Sequence, residues 1–317
     1  RGILMFIDSE DIKRVIPEVI KIRRHIHMYP EISEQEYETS KYIKKCLEEI
    51  GLEANFIGDT GVVSMLMNNP EFQTVGLRAE MDALPIEEET NLEFKSKNKG
   101  VMHACSHDGI VATALGVTKL LYEHKDELKC NVKFIFEPAE EVGRGAKKLI
   151  KEKVLENPTV DKMVIFHYAN SAPIGMEIQK GVSTATLGRV SIEIIGKSSH
   201  WGEPEKGINA ISVAAKVIDA IDKINEDLKE KIQFVLGMGI INGGVKNNIM
   251  AENVKLEGTI RTFCEENLEY VLTYLQDRMK EIEEETKATI KATLTSHLPA
   301  LINNPDLVKM GSKVGKE

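Results

Sequence analysis

The chain has 317 residues, too many for one ordinary core, so two domains are expected. Its composition, 42% hydrophobic and 29% charged, is that of a globular protein in water. A net charge of −9 without a basic tract argues against a nucleic-acid backbone as partner, and no apolar run is long enough for a membrane span.

Residues 1–7 are too short for a secretory signal and lack a cleavage site. The cysteines, Cys46, Cys105, Cys130 and Cys264, are scattered, which implies reduced thiols and a cytoplasmic setting. Residues 8–28 read as a helix with Ile12, Val15, Ile16, Val19, Ile22 and Ile26 on one face. Ser33 to Glu36 reads as a capping box for a helix that ends at Gly51. Short strands follow at 53–57, 62–67 and 75–78, the last running into Glu80-Met-Asp82. An acidic residue at a strand's carboxyl end faces the crevice where α/β sheets bind ligands, and Asp82 there suits a partner that orients a histidine. The bland alternative is a solvated acidic loop, with Glu87, Glu88 and Glu89 just after it.

The most informative stretch is His103-Ala-Cys105-Ser-His107-Asp108. In extended backbone Cys105 and His107 point to one side, and thiolate beside imidazole suits a borderline-soft divalent ion. A lone C-x-H also fits an inert Cys near two histidines. A helix at 111–124 and a strand at 132–136 lead to Glu137-Pro-Ala-Glu140-Glu141. Adjacent glutamates at a strand end can divide labour, one ligating a metal and one moving a proton, or can simply be surface residues. The strand at 163–166 ends at His167. Four successive units, near residues 82, 105, 141 and 167, thus place ligand-type residues at one end.

After Gly181 the pattern becomes β-α-β-β-α-β: strands at 187–196, 234–241, 254–261 and 289–296, helices at 209–224 and around 268–282. It has the form of an inserted ferredoxin-like domain whose first strand lies at a sheet edge. Asn304 or Asp306 starts a further helix.

These motifs resemble the M20 metallopeptidases, specifically their amidohydrolase branch of aminoacylases, hippurate hydrolases, auxin-conjugate hydrolases and carboxypeptidase-like enzymes. The resemblance lies in Arg24 with His27 and Pro30-Glu31, in Arg78-Ala-Glu-Met-Asp-Ala-Leu-Pro85, and in His103-Ala-Cys-Ser-His-Asp108. It continues in Pro138-Ala-Glu-Glu141, Gly196-Lys-Ser-Ser-His200 and Gly258-Thr-Ile-Arg261. It implies an α/β fold of two domains: a mixed-sheet catalytic domain (1–183), an inserted ferredoxin-like lid and dimerisation domain (184–297), and a return to the catalytic domain (298–317). It implies one or two divalent ions (zinc, manganese, nickel or cobalt) held by Cys105, His107, Glu141 and His167, with Asp82 and Asp108 behind the ligands. Glu140 would be the general base, and His200 would stabilise the oxyanion in the site of the other subunit of a homodimer. Asn248 and Arg261 would hold the substrate carboxylate or scissile carbonyl.

The implied reaction is hydrolysis of the amide of an N-acyl amino acid or of a peptide with a free C-terminal carboxylate. The alternatives are a non-catalytic or impaired homologue that binds carboxylates, and a thiol hydrolase built on Cys105 with His103 or His107. Four departures bear on this. Glu80 replaces Asp. Ser106 replaces Gly, which strains the backbone if φ is positive there. Ile110 replaces a His, and the family's final His ligand has no counterpart, so a longer native chain is expected.

Overall fold

The computed structural model describes residues 7–169 and 175–315, so most of the opening stretch lies outside it. The described residues fall into two compact units that divide at Gly175.

In the first unit, helix α1 (Ser9–Met28) starts from Asp8, whose carboxylate accepts the Glu10 and Asp11 amides at 2.8 and 3.0 Å. Val15, Ile22 and Ile26 are buried, but Ile12 and Ile16 are exposed. The expected apolar stripe is therefore too wide, because α1 packs on its neighbours along one side only. Helix α2 (Tyr37–Ile50) ends at Gly51, with φ 108°. The capping box expected at Ser33–Glu36 does not form. Glu31 caps α2 instead, its carboxylate accepting the Glu38 and Thr39 amides at 3.2 and 2.8 Å. The Ser33 hydroxyl and the Glu36 carboxylate are used elsewhere.

Strands β1 (Ala54–Ile57), β2 (Gly61–Leu66), β3 (Thr74–Glu80), β4 (Asn131–Glu137) and β5 (Lys162–Ile165) form a mixed sheet in the order β1-β2-β4-β3-β5. Helices α3 (His107–Glu123) and α4 (Gly145–Lys151) complete the unit. Every residue of β4 is buried. Val132, Phe134 and Phe136 pack with Ile22, Ile43, Leu47 and Leu115 from α1, α2 and α3. Alternation turns Ile135 to the opposite face, against Leu149 and Val154. Each such side chain stabilises the fold by about 1.5–3 kcal/mol. On that second face the buried Lys133 ammonium donates to the carbonyl oxygens of Val154, Glu156 and Pro158 at 3.1, 2.8 and 3.1 Å, tying the chain between α4 and β5 to the sheet.

The second unit contains β6 (Gly181–Thr184), β7 (Thr186–Ile195), α5 (Ala210–Leu228), β8 (Phe234–Gly243), β9 (Asn253–Thr262), α6 (Glu265–Thr286), β10 (Thr289–Leu298), β11 (Leu301–Asn303) and α7 (Pro305–Val314). Four strands form an antiparallel sheet in the order β10-β7-β9-β8. Val190, Ile192, Ile194, Leu256 and Ile260 bury against Val217, Ile224, Val271 and Leu275 of α5 and α6. The expectation that the first strand of this unit lies at an edge is wrong. β7 pairs on both sides, and β8 and β10 form the edges. β6 and β11, which flank this sheet in the chain, pair with each other. Asn304 caps α7 through the Asp306 and Leu307 amides at 2.9 and 3.2 Å, as read from the sequence. No helix among the described residues is long and apolar enough to cross a membrane.

Lys133→Met should unfold at lower urea concentration, with a loss of about 2–4 kcal/mol, because three carbonyls lose a shared charged donor. An unchanged midpoint would mean that water satisfies those carbonyls equally well.

Candidate active site

β3, β4 and β5 run parallel, so the segments that leave them emerge at one edge of the sheet. These segments carry Asp82, Glu140 with Glu141, and His167. The fourth contributor is not a strand end. Residues near 103–106 turn, Ser106 adopts φ 66° and ψ 20°, and His107 is the first residue of α3. The extended alternation expected for Cys105 and His107 is therefore replaced by a left-handed turn, which still brings them together. Ser106 bears the strain anticipated from its replacing Gly, about 1–2 kcal/mol. Tyr168 lies against Gly109, with its hydroxyl 2.7 Å from the Thr113 hydroxyl, and so steadies the segment that carries His167.

The ligand atoms of Cys105, His107 and His167 lie within 4.8 Å of one another, as do those of His107, Glu140 and Glu141. His107 belongs to both groups. The Cys105 sulfur is 3.5 Å from His167 Nε2. His107 Nε2 is 3.9 Å from an oxygen of each glutamate.

The tautomers follow from the partners. His107 Nδ1 lies 2.8 Å from the Asp82 carbonyl oxygen and 3.3 Å from its carboxylate, so Nδ1 carries the proton. His167 Nδ1 donates to the Tyr168 carbonyl oxygen at 2.7 Å. Both rings therefore offer an Nε2 lone pair to the cluster. His107 Nε2 and Glu141 Oε1 are buried without a hydrogen-bond partner. Orphaned acceptors beside a thiol and a second carboxylate are costly unless a cation satisfies them, and the nitrogen, sulfur and oxygen donors suit a divalent metal.

Burial pushes the Cys105 thiol up to about 12, helped by the charges of Glu141, Glu140 and Glu80. Without a cation the sulfur stays protonated. Burial also raises the half-exposed Glu140 carboxyl, more than His107 and Arg78 lower it. Burial alone would depress His107, but its hydrogen bond to Asp82 and the nearby carboxylates outweigh that and raise it. Burial opposes ionisation of Asp82, yet hydrogen bonds from His107, Ser33 and the Glu141 amide outweigh it, so the carboxyl is held below its ordinary value. The Ser33 hydroxyl and the Glu141 amide reach the same Asp82 oxygen at 2.7 and 3.0 Å.

Arg78 holds both Glu80 and Glu137, the latter at 2.5 Å. Ile110 is fully buried in the core. Asp108 faces away from the ligands, with Oδ2 3.0 Å from His27 Nδ1 and 3.2 Å from Arg23 Nε. The other His27 nitrogen is 3.3 Å from Glu88. Glu88 is buried and accepts the Ser96 amide at 2.6 Å, so this part of the 87–89 run is not the solvated loop that its composition suggests. The loop turns inward where the Lys97 amide bonds the Met28 carbonyl at 2.9 Å, at the end of α1. The His27–Asp108–Glu88 cluster was not legible as a cluster, because its members are far apart in sequence.

In the second unit His200 and Asn248 are exposed, and a single bridge from His200 to Ile249 brings them close. Arg261 is exposed near the end of β9.

The sequence pattern of peptidase family M20/M25/M40 matches residues 76–317. The chain belongs to this family. It is 37% identical over 294 residues to the N-acetyl-L-cysteine deacetylase of Bacillus subtilis, covering 90% of this chain and 69% of that protein. It is 36% identical to thermostable carboxypeptidase 1 of Saccharolobus solfataricus, covering 96% of this chain and 79% of that protein. Among solved structures, a dinuclear metal-binding M20 peptidase of Bacillus subtilis superposes with a TM-score of 0.82 at 31% identity, covering 98% of this chain and 80% of that one.

In this M20 chain His27 gives a pH signature. Its hydrogen bond to Asp108 raises its pKa against the opposing effect of burial. The stability it contributes is thus complete below its unfolded value of 6.5 and is lost as pH rises through the raised folded value. His27→Gln should remove that pH dependence and cost about 3 kcal/mol, since two buried carboxylates lose a cation. Urea unfolding of both proteins between about pH 6 and about pH 9 checks this; parallel pH profiles would contradict it.

Proposed function

We propose that this protein hydrolyses the amide of an N-acyl amino acid, or of a peptide with a free C-terminal carboxylate, using a divalent metal pair. The observation that carries the reading is His107, shared by two donor groups, with the half-exposed Glu140 beside it. The names of its relatives support the substrate class: two deacetylate N-acetylcysteine, one is an N-acyl-L-amino acid amidohydrolase, and two are carboxypeptidases. Cys105, His107, Glu141 and His167 would hold zinc, manganese, nickel or cobalt, and two overlapping donor groups favour two ions. Bound there, the metal supplies Lewis acidity towards a carbonyl and a water.

Glu140 takes the proton from the attacking water and returns it to the leaving amine. Asp82 keeps His107 in the tautomer that leaves Nε2 free. We assign His200 to the oxyanion, and Asn248 with Arg261 to the carbonyl or carboxylate; exposure of all three, and the proximity of His200 to Asn248, support this. A thiol mechanism is disfavoured, because a sulfur pushed up to about 12 is a poor nucleophile.

The reading extends to domain roles. The β-α-β-β-α-β order and the sheet order β10-β7-β9-β8 are those of a ferredoxin-like unit, here taken as the lid. Pairing of β6 with β11 fits a chain that enters and leaves this unit side by side, before a return to the catalytic domain. The proposed homodimer would use the edge strand β8, where Val235, Ile240 and Ile241 are exposed. A cytoplasmic location completes the proposal and rests on the scattered, unbridged cysteines.

Glu140→Gln should retain metal and lose at least about 100-fold in turnover of N-acetyl amino acids. Elemental analysis with steady-state kinetics checks this; near-parental turnover would remove Glu140 from the mechanism.

A further inference from the structure

We infer that Glu36 is the positioning residue for Glu140, gripping the backbone turn on which the base is mounted. This rests on the base role proposed for Glu140.

Glu36 is fully buried and makes no ion pair among the described residues. Its carboxylate accepts three hydrogen bonds. One oxygen takes the Glu34 amide at 3.0 Å and the Ala139 amide at 2.8 Å, and the other takes the Thr60 hydroxyl at 2.8 Å. Glu34 and Ala139 are both left-handed, with φ of 68° and 52°, and neither is glycine. Such conformations cost about 1–2 kcal/mol each and persist only where the surroundings enforce them. One carboxylate oxygen thus holds the amides of two strained residues that are remote in sequence.

The turn after β4 is closed by its own backbone. The Ala139 carbonyl oxygen accepts the Arg144 and Gly145 amides at 3.2 Å each, and the Gly143 amide donates to the Glu140 carbonyl at 2.7 Å. A Cβ at Gly145 would overlap the Pro138 carbonyl oxygen, so glycine is required there. Two carboxylates from other segments reach the backbone on either side of Glu140. Asp82 holds the Glu141 amide and also orients His107. Glu36 holds the Ala139 amide and touches none of the proposed ligands. Glu36 thus fixes the base side of the turn, as Asp82 fixes the ligand side. A general base must sit within a fraction of an ångström of its proton, and a displacement near 1 Å costs about 100-fold. Glu140 does not hold the substrate, so the loss falls on kcat and spares KM.

The test uses the metal-loaded enzyme with N-acetyl amino acids, and Glu140→Gln as control. Glu36→Ala should lower kcat about 100-fold, leave KM within about threefold and keep the parental metal content. Glu36→Gln, whose amide oxygen still accepts both amides, should restore kcat to within about fivefold of the parent. Glu36→Asp keeps the charge but draws it back by one methylene; it should be slowed at least about tenfold, and it carries the test if the Ala variant does not fold. Near-parental kcat in the Ala or Asp variant, or a Gln variant as slow as Ala, overturns the inference. Near-parental turnover in Glu140→Gln overturns the base assignment beneath it as well, which separates the two failures.

Discussion

The carboxylate of Asp82 joins three segments on which the site depends. It accepts the hydroxyl of Ser33, which precedes α2, and the amide of Glu141, which follows β4, and it lies against the ring of His107 at the start of α3. This one residue just past β3 therefore positions two proposed ligands: its carboxylate holds the Glu141 amide and lies beside His107, whose tautomer is set by the Asp82 carbonyl oxygen at 2.8 Å. Its cost of burial is offset by those three partners, which hold it charged. Removing any one of them would disturb the others, because they share one anion.

Around this anchor, local conformation is sacrificed to convergence. Glu34, Ser106 and Ala139 are non-glycine residues in the left-handed region, and all three lie in turns that feed the site. Regular strand ends cannot bring Cys105, His107, Glu140, Glu141 and His167 to one place, and sharp turns can. At Glu34 and Ala139 the strained amides are both held by the carboxylate of the buried Glu36. Charge shows the same trade. Arg78 neutralises Glu80, but Glu140 and Glu141 still lie beside a buried thiol that their charges push up, an arrangement that costs stability and suits a bound cation.

Much of this was legible in the sequence, and for physical reasons. Periodicity located the helices and strands of both units, because burial of alternate or every third to fourth residue is a local signal. Parallel strands that end in polar residues pointed to one edge, and three of the four expected contributors leave the sheet there. The fourth, Cys105-Ser-His107, was read as extended, since nothing local announces that a Ser will adopt positive φ. The edge position assigned to β7 failed because strand order is a long-range property: Val190, Ile192 and Ile194 alternate identically in an edge or a central strand. Ser33 and Glu36 fitted a local capping box yet turned to Asp82, Thr60 and Ala139, partners that no window of sequence contains. Glu88 sat in an acidic run and was buried by His27, for the same reason.

As proposed above, Cys105 would bind metal as a thiolate beside His107, Glu141 and His167. Replacement of the native ion by cobalt tests it directly, because a cobalt-bound thiolate gives an intense near-ultraviolet charge-transfer absorption. The cobalt protein should show that band, and Cys105→Ser should lose it with cobalt still bound. A cobalt protein that lacks the band, or keeps it in Cys105→Ser, would contradict the assignment.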